Sequence, residues 1–285
     1  MAKDMTGMFL DHWAKYTWPS GLMHLPYQHE IVGDGKTTIG IKLWTVVPAM
    51  GGGRGTPETK SSAQIPTSPD LIGLIVQKTI MLHSDRAVID VDQEIINPLK
   101  ESRGVAPYIQ HNFNLNGNLY HDVWYLPSTR GVDMRFMPGK EGETVKGVDW
   151  VLDPTAGWIG VRDQKTDRAL LFAFDYNYVQ KLYTCGSTAE WFMDTVPVAP
   201  GKSFKTHYVI KPVRDFDHLV YGSRRLVADI RPREESGRVR VAHDLAAVEG
   251  ALRDVQVELT IMGWKTKKQI AREIFQVKEL NDKKL

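Results

Sequence analysis

Hydrophobic residues along this chain recur in short runs with a two-residue alternation, and turn-forming residues separate the runs. Examples are TTIGIKLWTVV, ALLFAFDY and VQVELTIMGW, which Gly, Pro, Asn and Asp residues divide from their neighbours. Apolar residues seldom recur at the three- and four-residue spacing of an amphipathic helix over any long window. The pattern therefore predicts an all-β protein, built as a sandwich or a barrel.

The segment AVIDVDQEI shows the alternation most clearly. Asp90, Asp92 and Glu94 fall on one face of the predicted strand, whereas Val91 and Ile95 fall on the other. Because successive side chains of a strand point to opposite faces, one face of this strand is expected to be wet and the other buried.

Two changes of character suggest how the chain is organised. Residues 48–70 are rich in Gly, Pro, Ser and Thr, and we expect a long exposed loop there, either a tolerated insertion or a lid over a cleft. Its GGGRG run is not followed by Lys-Ser/Thr or by a helical pattern, so it does not predict a phosphate-binding loop.

The second change lies near residues 212–225, after which the pattern is a run of about four strands with a Lys-rich end. We therefore predict a main β domain over 1–212 and a small C-terminal β-sandwich-like segment over 213–285. Lysines on an edge strand commonly block pairing with other chains, so we interpret the Lys-rich end as a solvated edge.

Charge and cysteine content exclude several classes of protein. The 36 Lys+Arg against 34 Asp+Glu leave a formal net charge of +2, which argues against a nucleic-acid partner. The single Cys185 excludes an internal disulfide framework and a Cys-rich zinc site. His24 and His29 flank Pro26 and do not form a helical metal-binding pair, so we expect no metal and no cofactor.

The start of the chain shows no continuous apolar region of a signal peptide, and no run approaches the length of a membrane span. We therefore expect a soluble chain without a membrane span. Its compartment stays open: cytoplasmic as written, or secreted or cell-surface if the chain is a mature form or a fragment.

Candidate chemistry is concentrated in two stretches. In residues 96–127 polar and aromatic side chains are interleaved; among them are Tyr108, Gln110, His111, Asn112, Asn114, Tyr120, His121, Asp122, Trp124 and Tyr125. Sugar recognition needs this mixture, because a pyranose offers hydroxyl groups to polar side chains and C–H faces to aromatic rings. A wet strand–turn–strand, in which these groups satisfy the backbone, is the alternative interpretation.

The second stretch, residues 183–212, contains Glu190 next to Trp191. A carboxylate beside an indole suits a general base flanked by a stacking surface. On a regular strand, however, the two side chains would point to opposite faces, so only a bulge would bring both to one cleft.

These stretches resemble the galactose-mutarotase-like β-supersandwich of aldose 1-epimerases over roughly residues 20–212. Members of that family often have an Asn, a short gap and then a motif written N-H-x-Y-F-N-L. This chain has Asn97 followed by HNFNLNG at 111–117. The gap after Asn97 is longer, and one residue fewer separates the His from the Asn-Leu pair. A Glu on a strand, a Pro-Gly turn and a last strand follow, here Glu190, VAPGKSF and KTHYVIKP. The tail from about residue 222 is similar in strand rhythm to small immunoglobulin-like sandwiches.

The resemblance implies roles for individual residues. In epimerases a Glu acts as base on the anomeric hydroxyl and a His donates to the ring oxygen, so Glu190 would be the base and His111 would match the first His. A second His, which acts as the general acid, normally lies well downstream in the sequence of these epimerases. No His occurs between His121 and His207, so that role is either vacant or taken by His121.

Two hypotheses about function follow. In the first, the protein is an enzyme of the epimerase, isomerase or lyase type that acts on a sugar or polysaccharide by proton transfer, with Glu190 as the base and His111 or His121 as the acid. Its substrate-binding residues would be Asn114, Asp122, Trp124, Tyr125, Arg135 and Trp191. In the second, it is a non-catalytic glycan-binding or structural module, whose C-terminal segment contacts a partner chain.

Overall fold

The computed structural model describes residues 9–11, 25–51, 65–112, 115, 122–136, 149–185, 188–263 and 265–281. Every regular element in those ranges is a β-strand, which confirms the predicted all-β class. Among the described residues, no helix is long and apolar enough to cross a membrane. The predicted loop 48–70 is described only at its two ends, where a short strand β4 (Met50–Gly51) pairs with β5 (Ile65–Pro66).

The largest sheet has nine strands, and each pair of neighbours in it is antiparallel. In chain order these strands are β2 (Gln28–Val32), β3 (Thr38–Val46), β6 (Ile75–His83), β7 (Ile89–Ile96), β10 (Asp122–Ser128), β11 (Gly131–Phe136), β13 (Trp158–Asp163), β14 (Arg168–Phe174) and β18 (Ser203–Arg214). Their spatial order is β11-β10-β13-β14-β18-β7-β6-β3-β2. The alternation predicted for β7 is present, because Val91 and Ile95 are fully buried while Asp92 is exposed.

A second sheet of five strands packs against the first. Its order is β1-β9-β16-β15-β12. The strands are β1 (Phe9–Asp11), β9 (Tyr108–Asn112), β12 (Asp149–Leu152), β15 (Val179–Cys185) and β16 (Thr188–Met193). A short pair, β8 (Arg103–Val105) with β17 (Val196–Val198), adjoins this sheet. The fold therefore has two antiparallel layers in its main part.

The main core lies between these two sheets and is rich in aromatic side chains. Trp124, Phe172 and Tyr208 come from the nine-stranded sheet, and Trp191 and Leu182 come from the five-stranded sheet. All five are at most 1% exposed. Part of the aromatic content of the chain therefore fills the interface between the layers, where large apolar side chains stabilise the fold most.

The C-terminal segment covers the outer face of the nine-stranded sheet. It consists of β19 (Tyr221–Gly222), β20 (Leu226–Glu235), β21 (Arg238–Ala247), β22 (Leu252–Met262) and β23 (Gln269–Leu280). A second core forms where Tyr125 and Trp158 of the main sheet meet Leu219 and Val227 of the segment. The strand β18 runs to Arg214, two residues past the predicted boundary, and the division into two domains stays a prediction.

Candidate functional site

The five-stranded sheet carries Glu190 on the face that points away from the main core. Trp191 lies in that core, and its neighbour Glu190 on β16 therefore projects from the opposite face. In the register of β16 with β9, Glu190 is paired with Gln110 and Phe192 with Tyr108. We call this surface the Glu190 face; its members are Tyr108, Gln110, Asn112, Trp150, Lys181, Tyr183, Thr188, Glu190 and Phe192.

Glu190 is held by a hydrogen bond from a neighbouring tyrosine. The Tyr108 hydroxyl donates to Glu190 Oε2. The same hydroxyl oxygen lies 3.4 Å from Gln110 Oε1, and Gln110 Nε2 donates to Asn112 Oδ1 at 3.4 Å. Side chains of alternate residues on β9 thus form a polar row beside the carboxylate.

Aromatic rings border this polar row. Tyr108 and Phe192 are stacked, with ring centroids 4.0 Å apart and an interplanar angle of 14°. Trp150 lies 4.5 Å from Tyr183 and 5.2 Å from Phe192, measured between ring centroids, and is 41% exposed. Lys181 Nζ lies 4.7 Å from the centroid of the Trp150 ring. The face therefore combines a carboxylate, amides, a cation and an accessible indole.

Burial changes the acidity of Glu190. Its side chain is only 3% exposed, and burial raises its pKa to about 7, although the hydrogen bonds from Tyr108 and Thr188 act in the opposite direction. A carboxyl group with a pKa near the working pH exchanges protons in both directions without a large driving-force penalty. Glu190 is thus able to serve as a base or as an acid near neutral pH.

The structure places His111 on the opposite side of the same sheet. His111 is paired with Ala189, whereas Glu190 is paired with Gln110, so the two side chains point to different faces. His111 is 0% exposed, and its ring centroid lies 5.4 Å from that of Trp191. The structure does not bring His111 to the Glu190 face, because regular alternation on β9 directs it into the main core.

Three aromatic residues predicted as substrate contacts are also buried. Trp191 stacks on Phe174 inside the main core, with ring centroids 4.4 Å apart and an angle of 7° between the planes. Trp124 lies in the same core, and Tyr125 lies in the second core on the other face of β10. Burial raises the pKa of Tyr125 to about 12, as expected for a phenol away from water. No bulge brings Trp191 to the face of Glu190, since the register of β16 with β9 is regular.

Asp122 and Arg135 lie outside the Glu190 face as well. Asp122 is 0% exposed and is paired across β10 and β13 with Asp163. Burial raises its pKa to about 7, and the charge of Asp163 adds to that effect. Arg135 Nη2 lies 3.4 Å from Asp133 Oδ2 and 3.4 Å from the backbone oxygen of Trp150, so it supports the strand that carries Trp150.

The remaining predicted residues divide into two groups. His121 and Asn114 lie outside the described residues. Asn97, the first residue of the family-like motif, is buried and bonded to the backbone: Nδ2 donates to the carbonyls of Glu101 and Val198 at 2.7 and 2.8 Å, and Oδ1 accepts from Leu99 N at 3.0 Å. Its visible role is to hold a turn.

Sequence reasoning missed most of the Glu190 face. Tyr108, Gln110 and Asn112 were recognised as part of a polar and aromatic stretch, but Trp150, Lys181 and Tyr183 were not singled out. The sequence does indicate that residues 108, 110 and 112 share one face of the strand, because they alternate with 109 and 111. Whether that face is the one that carries Glu190 depends on the register between β9 and β16, which the sequence does not show.

Comparisons with known proteins bear on the fold. No family model matches the chain, and no curated protein matches it. Among solved structures, Slr1438 from Synechocystis sp. PCC 6803 is similar at 12% identity and a TM-score of 0.46, covering 67% of each chain. A putative aldose 1-epimerase from Klebsiella pneumoniae is similar at 11% identity and a TM-score of 0.46, covering 66% of this chain and 54% of that one.

A galactose mutarotase-like protein from Clostridium acetobutylicum is similar at 10% identity and a TM-score of 0.39, covering 66% of this chain and 65% of that one. The chain spans little more than half the length of the Klebsiella protein. At these identities the likeness concerns the fold alone. These solved structures, at TM-scores below 0.5, include a putative aldose 1-epimerase and a galactose mutarotase-like protein, the group that the sequence resembles.

Proposed function

We propose that the Glu190 face binds a sugar or polysaccharide and that Glu190 transfers a proton at or next to the anomeric centre. The observation that carries this proposal is the buried Glu190 carboxyl, which accepts a hydrogen bond from Tyr108 beside an aromatic border. The other members of the face supply the contacts that a sugar requires. Amides at Gln110 and Asn112 would bind hydroxyl groups, and the exposed Trp150 ring would pack on a C–H face.

Proton transfer follows from the two oxygens of Glu190. Tyr108 donates to Oε2 and Thr188 also hydrogen-bonds to the carboxylate, so a substrate hydroxyl would use a lone pair that these two hydroxyl groups leave available. In a ring-opening step the carboxylate would take the proton of the anomeric hydroxyl, the carbonyl would form, and the bond from the anomeric carbon to the ring oxygen would break. The ring oxygen would then take a proton from water, or from the Tyr108 hydroxyl, which would regain a proton from the Glu190 carboxyl group bonded to it.

Lys181 narrows the choice of substrate. Its ammonium group lies over the Trp150 and Phe192 rings, 4.7 and 5.1 Å from their centroids, on the same face as Glu190. A cation there favours a sugar that carries a carboxylate, because the attraction between the two charges is stronger where water is partly excluded. We therefore assign recognition of a carboxylate to Lys181. The sequence predicts substrate binding by Arg135, but the Arg135 guanidinium contacts Asp133 and the Trp150 backbone.

A second candidate function is a glycan-binding module without catalysis. The position of His111 favours it, because the imidazole expected to act as the acid lies in the main core. Among the described residues, no histidine lies on the Glu190 face. The solved structures with similar folds include a putative aldose 1-epimerase and an α-galactosidase from Geobacillus stearothermophilus in complex with stachyose, and they do not decide between the two functions.

A glycan array followed by product analysis distinguishes the two functions. We expect the full chain to bind a glycan and to change it, as detected by NMR of the anomeric protons, and Glu190→Gln to reduce turnover on the order of 10²–10⁴-fold. Glu94→Gln is the matched control, since Glu94 lies on the outer face of the nine-stranded sheet beside Lys205. Binding without any product would favour the module, and unchanged turnover in Glu190→Gln would remove Glu190 from the mechanism.

Tyr108→Phe tests how Tyr108 acts on Glu190. The hydrogen bond from Tyr108 lowers the pKa of Glu190, so its loss should raise that pKa above about 7. Because Glu190 must be deprotonated to act as the base, the acidic limb of the pH profile of turnover should therefore move to higher pH. A loss of activity with an unchanged pH profile would indicate that Tyr108 contacts the substrate and does not tune Glu190.

A further inference from the structure

A cluster of ionisable side chains lies far from the Glu190 face, on the outer face of the nine-stranded sheet. We call it the His207 cluster; its members are His83, Arg86, Asp90, Asp92, Asp175, His207, Arg224 and Glu249. Asp90 and Asp92 come from β7 and His207 from β18. Glu249 comes from the turn after β21, so the cluster joins the main sheet to the C-terminal segment.

The two nitrogens of His207 have different surroundings. Nδ1 lies 2.8 Å from Asp92 Oδ1, the distance of a strong hydrogen bond. Nε2 is shielded from solvent and makes no hydrogen bond of normal geometry within the described residues. It faces Glu249 Oε1 at 3.4 Å and Asp90 Oδ1 at 3.8 Å. Glu249 Oε1 also accepts a hydrogen bond from Arg224 Nε at 2.5 Å, so a metal ion would bind this oxygen through its other lone pair. A ring nitrogen is thus directed at two carboxylate oxygens that are too distant for it to hydrogen-bond well.

These distances fit a shared metal ion. Zinc binds His nitrogen and carboxylate oxygen at about 2.0–2.2 Å, so two ligands at a tetrahedral angle lie roughly 3.4 Å apart. The ligand atoms of Asp90, His207 and Glu249 all lie within 4.8 Å of one another. A metal-ligating His also commonly donates its other N–H to a carboxylate, which fixes the ring, and Asp92 does this for His207.

The charge of the cluster points the same way. Within the part of the chain that the structure describes, the four carboxylates of Asp90, Asp92, Asp175 and Glu249 pair with two guanidinium groups, those of Arg86 and Arg224. With both imidazoles neutral the cluster carries two excess negative charges, and a proton on His207 reduces that excess to one. His83 and Arg86 contact Asp90 through its Oδ2 atom, which leaves Oδ1 directed to His207.

A proton on His207 is the competing cation. Burial lowers the pKa of His207, but Asp92 and Glu249 outweigh that effect and raise it to about 9. A bound metal would displace this proton, as metal binding to imidazole generally does.

We propose that Asp90 Oδ1, His207 Nε2 and Glu249 Oε1 bind one divalent transition-metal ion, with zinc as the best match to one imidazole and two carboxylates. A site of this composition disfavours Ca²⁺ and Mg²⁺, which prefer oxygen ligands alone. Because Glu249 belongs to the C-terminal segment and the other two ligands to the main sheet, the metal would fasten the segment to the sheet. The sequence predicted no metal site, because the three ligands are dispersed over 160 positions and form no motif.

Titration of the full chain with ZnCl₂ at pH 8 after dialysis against a chelator tests the site. We expect calorimetry to show one bound Zn²⁺ per chain, and the thermal unfolding temperature to rise with Zn²⁺ but not with CaCl₂. His207→Gln and Glu249→Gln should each weaken binding at least tenfold. His218→Gln is the matched control, because His218 also lies beside an aspartate, Asp229, and should keep full affinity.

Circular dichroism of each metal-free variant shows whether it remains folded. Glu249→Gln is the safer variant, since Glu249 lies in a turn and its side chain is 30% exposed. Absence of Zn²⁺ binding to the folded full chain would overturn the proposal. Zn²⁺ binding that Glu249→Gln and His207→Gln leave unchanged would overturn it as well. None of these outcomes depends on whether the protein binds a sugar.

Discussion

At the scale of single residues, Glu190 is unusual because its environment opposes the charge that its proposed reaction needs. It is almost completely buried, and among the described residues its neighbours on the paired strand are an amide and a phenol. Burying a carboxylate without a cationic partner costs free energy, and the raised pKa of Glu190 is the direct sign of that cost. Such strain is common in sites where function and stability compete.

The free-energy cost of burying the Glu190 carboxylate predicts that the stability of the folded protein depends on pH. Its pKa is raised from 4.5 to about 7, so the folded state binds the proton more tightly than the unfolded chain does. This contribution to stability is complete below pH 4.5 and is lost as the pH rises through 7. By linkage the loss amounts to about 3 kcal/mol.

Glu190→Gln should therefore be more stable than the original chain at pH 8 by up to about 3 kcal/mol, and similar to it at pH 4. Urea unfolding at both pH values measures the difference. An equal effect of the substitution at both pH values would show that Glu190 is not protonated preferentially in the folded state.

At the scale of elements, the pairing of β9 with β16 decides which residues share a surface. Gln110 and His111 are neighbours in sequence, but Gln110 is opposite Glu190 and His111 is opposite Ala189. A shift of one residue in this register would exchange the two faces completely. His111 of the family-like motif lies on β9, while the pairing with β16 determines which residues of β9 share a face with Glu190.

This arrangement predicts opposite effects of two adjacent substitutions. Gln110→Ala should weaken glycan binding about tenfold or more, because it removes an amide from the Glu190 face, and should cost about 1 kcal/mol of stability, because Gln110 is buried and hydrogen-bonded to Asn112. His111→Leu should destabilise the fold by about 1–3 kcal/mol, because His111 contacts the rings of Phe172, Trp191 and Tyr208, and should leave binding unchanged.

A binding assay and urea unfolding of both variants measure the two effects. If His111→Leu abolished binding while its stability stayed unchanged, the alternation of β9 would be the wrong basis for the site.

At the scale of the whole molecule, the sequence predicts the class of fold from local patterns, whereas the grouping of the candidate site residues depends on how the strands pair. Two-residue alternation is a local property, and it correctly placed Val91 and Ile95 in the core. The candidate site depends on non-local pairing, and the aromatic side chains expected in one cleft with Glu190 lie instead in two cores. Trp124 and Tyr125 illustrate this, because adjacent residues of one strand reach the main core and the second core respectively.

The second core also determines how the C-terminal segment relates to the main sheet. Leu219 is 0% exposed, and a Cβ atom added to Gly160 would lie 2.7 Å from Leu219 Cδ1. Likewise, a Cβ atom at Gly222 would lie 2.5 Å from Leu171 Cδ1 and 2.8 Å from Trp158 Cδ2. The glycines permit close approach of the segment to the sheet, which an ordinary side chain would prevent. Contact of this segment with a partner chain stays a prediction.

Leu219→Ala tests whether the segment and the sheet unfold together. Removal of this side chain leaves a cavity between the two parts, so we expect a loss of about 2–5 kcal/mol in the free energy of unfolding. Because the second core contains residues of both parts, the loss should appear in one cooperative transition monitored by tryptophan fluorescence and by circular dichroism.

The control is Leu259→Ala, which truncates a half-buried leucine on β22 outside the segment's own core and should cost less than about 1 kcal/mol. Two separate transitions, with only one of them moved by Leu219→Ala, would instead show that the segment folds as an independent domain. In that case the second core would be an interface between two domains. Its closely packed glycines would then allow two folded domains to approach each other and would contribute little to the folding of either one. A single transition would mean that the C-terminal segment stabilises the sheet that supports the Glu190 face.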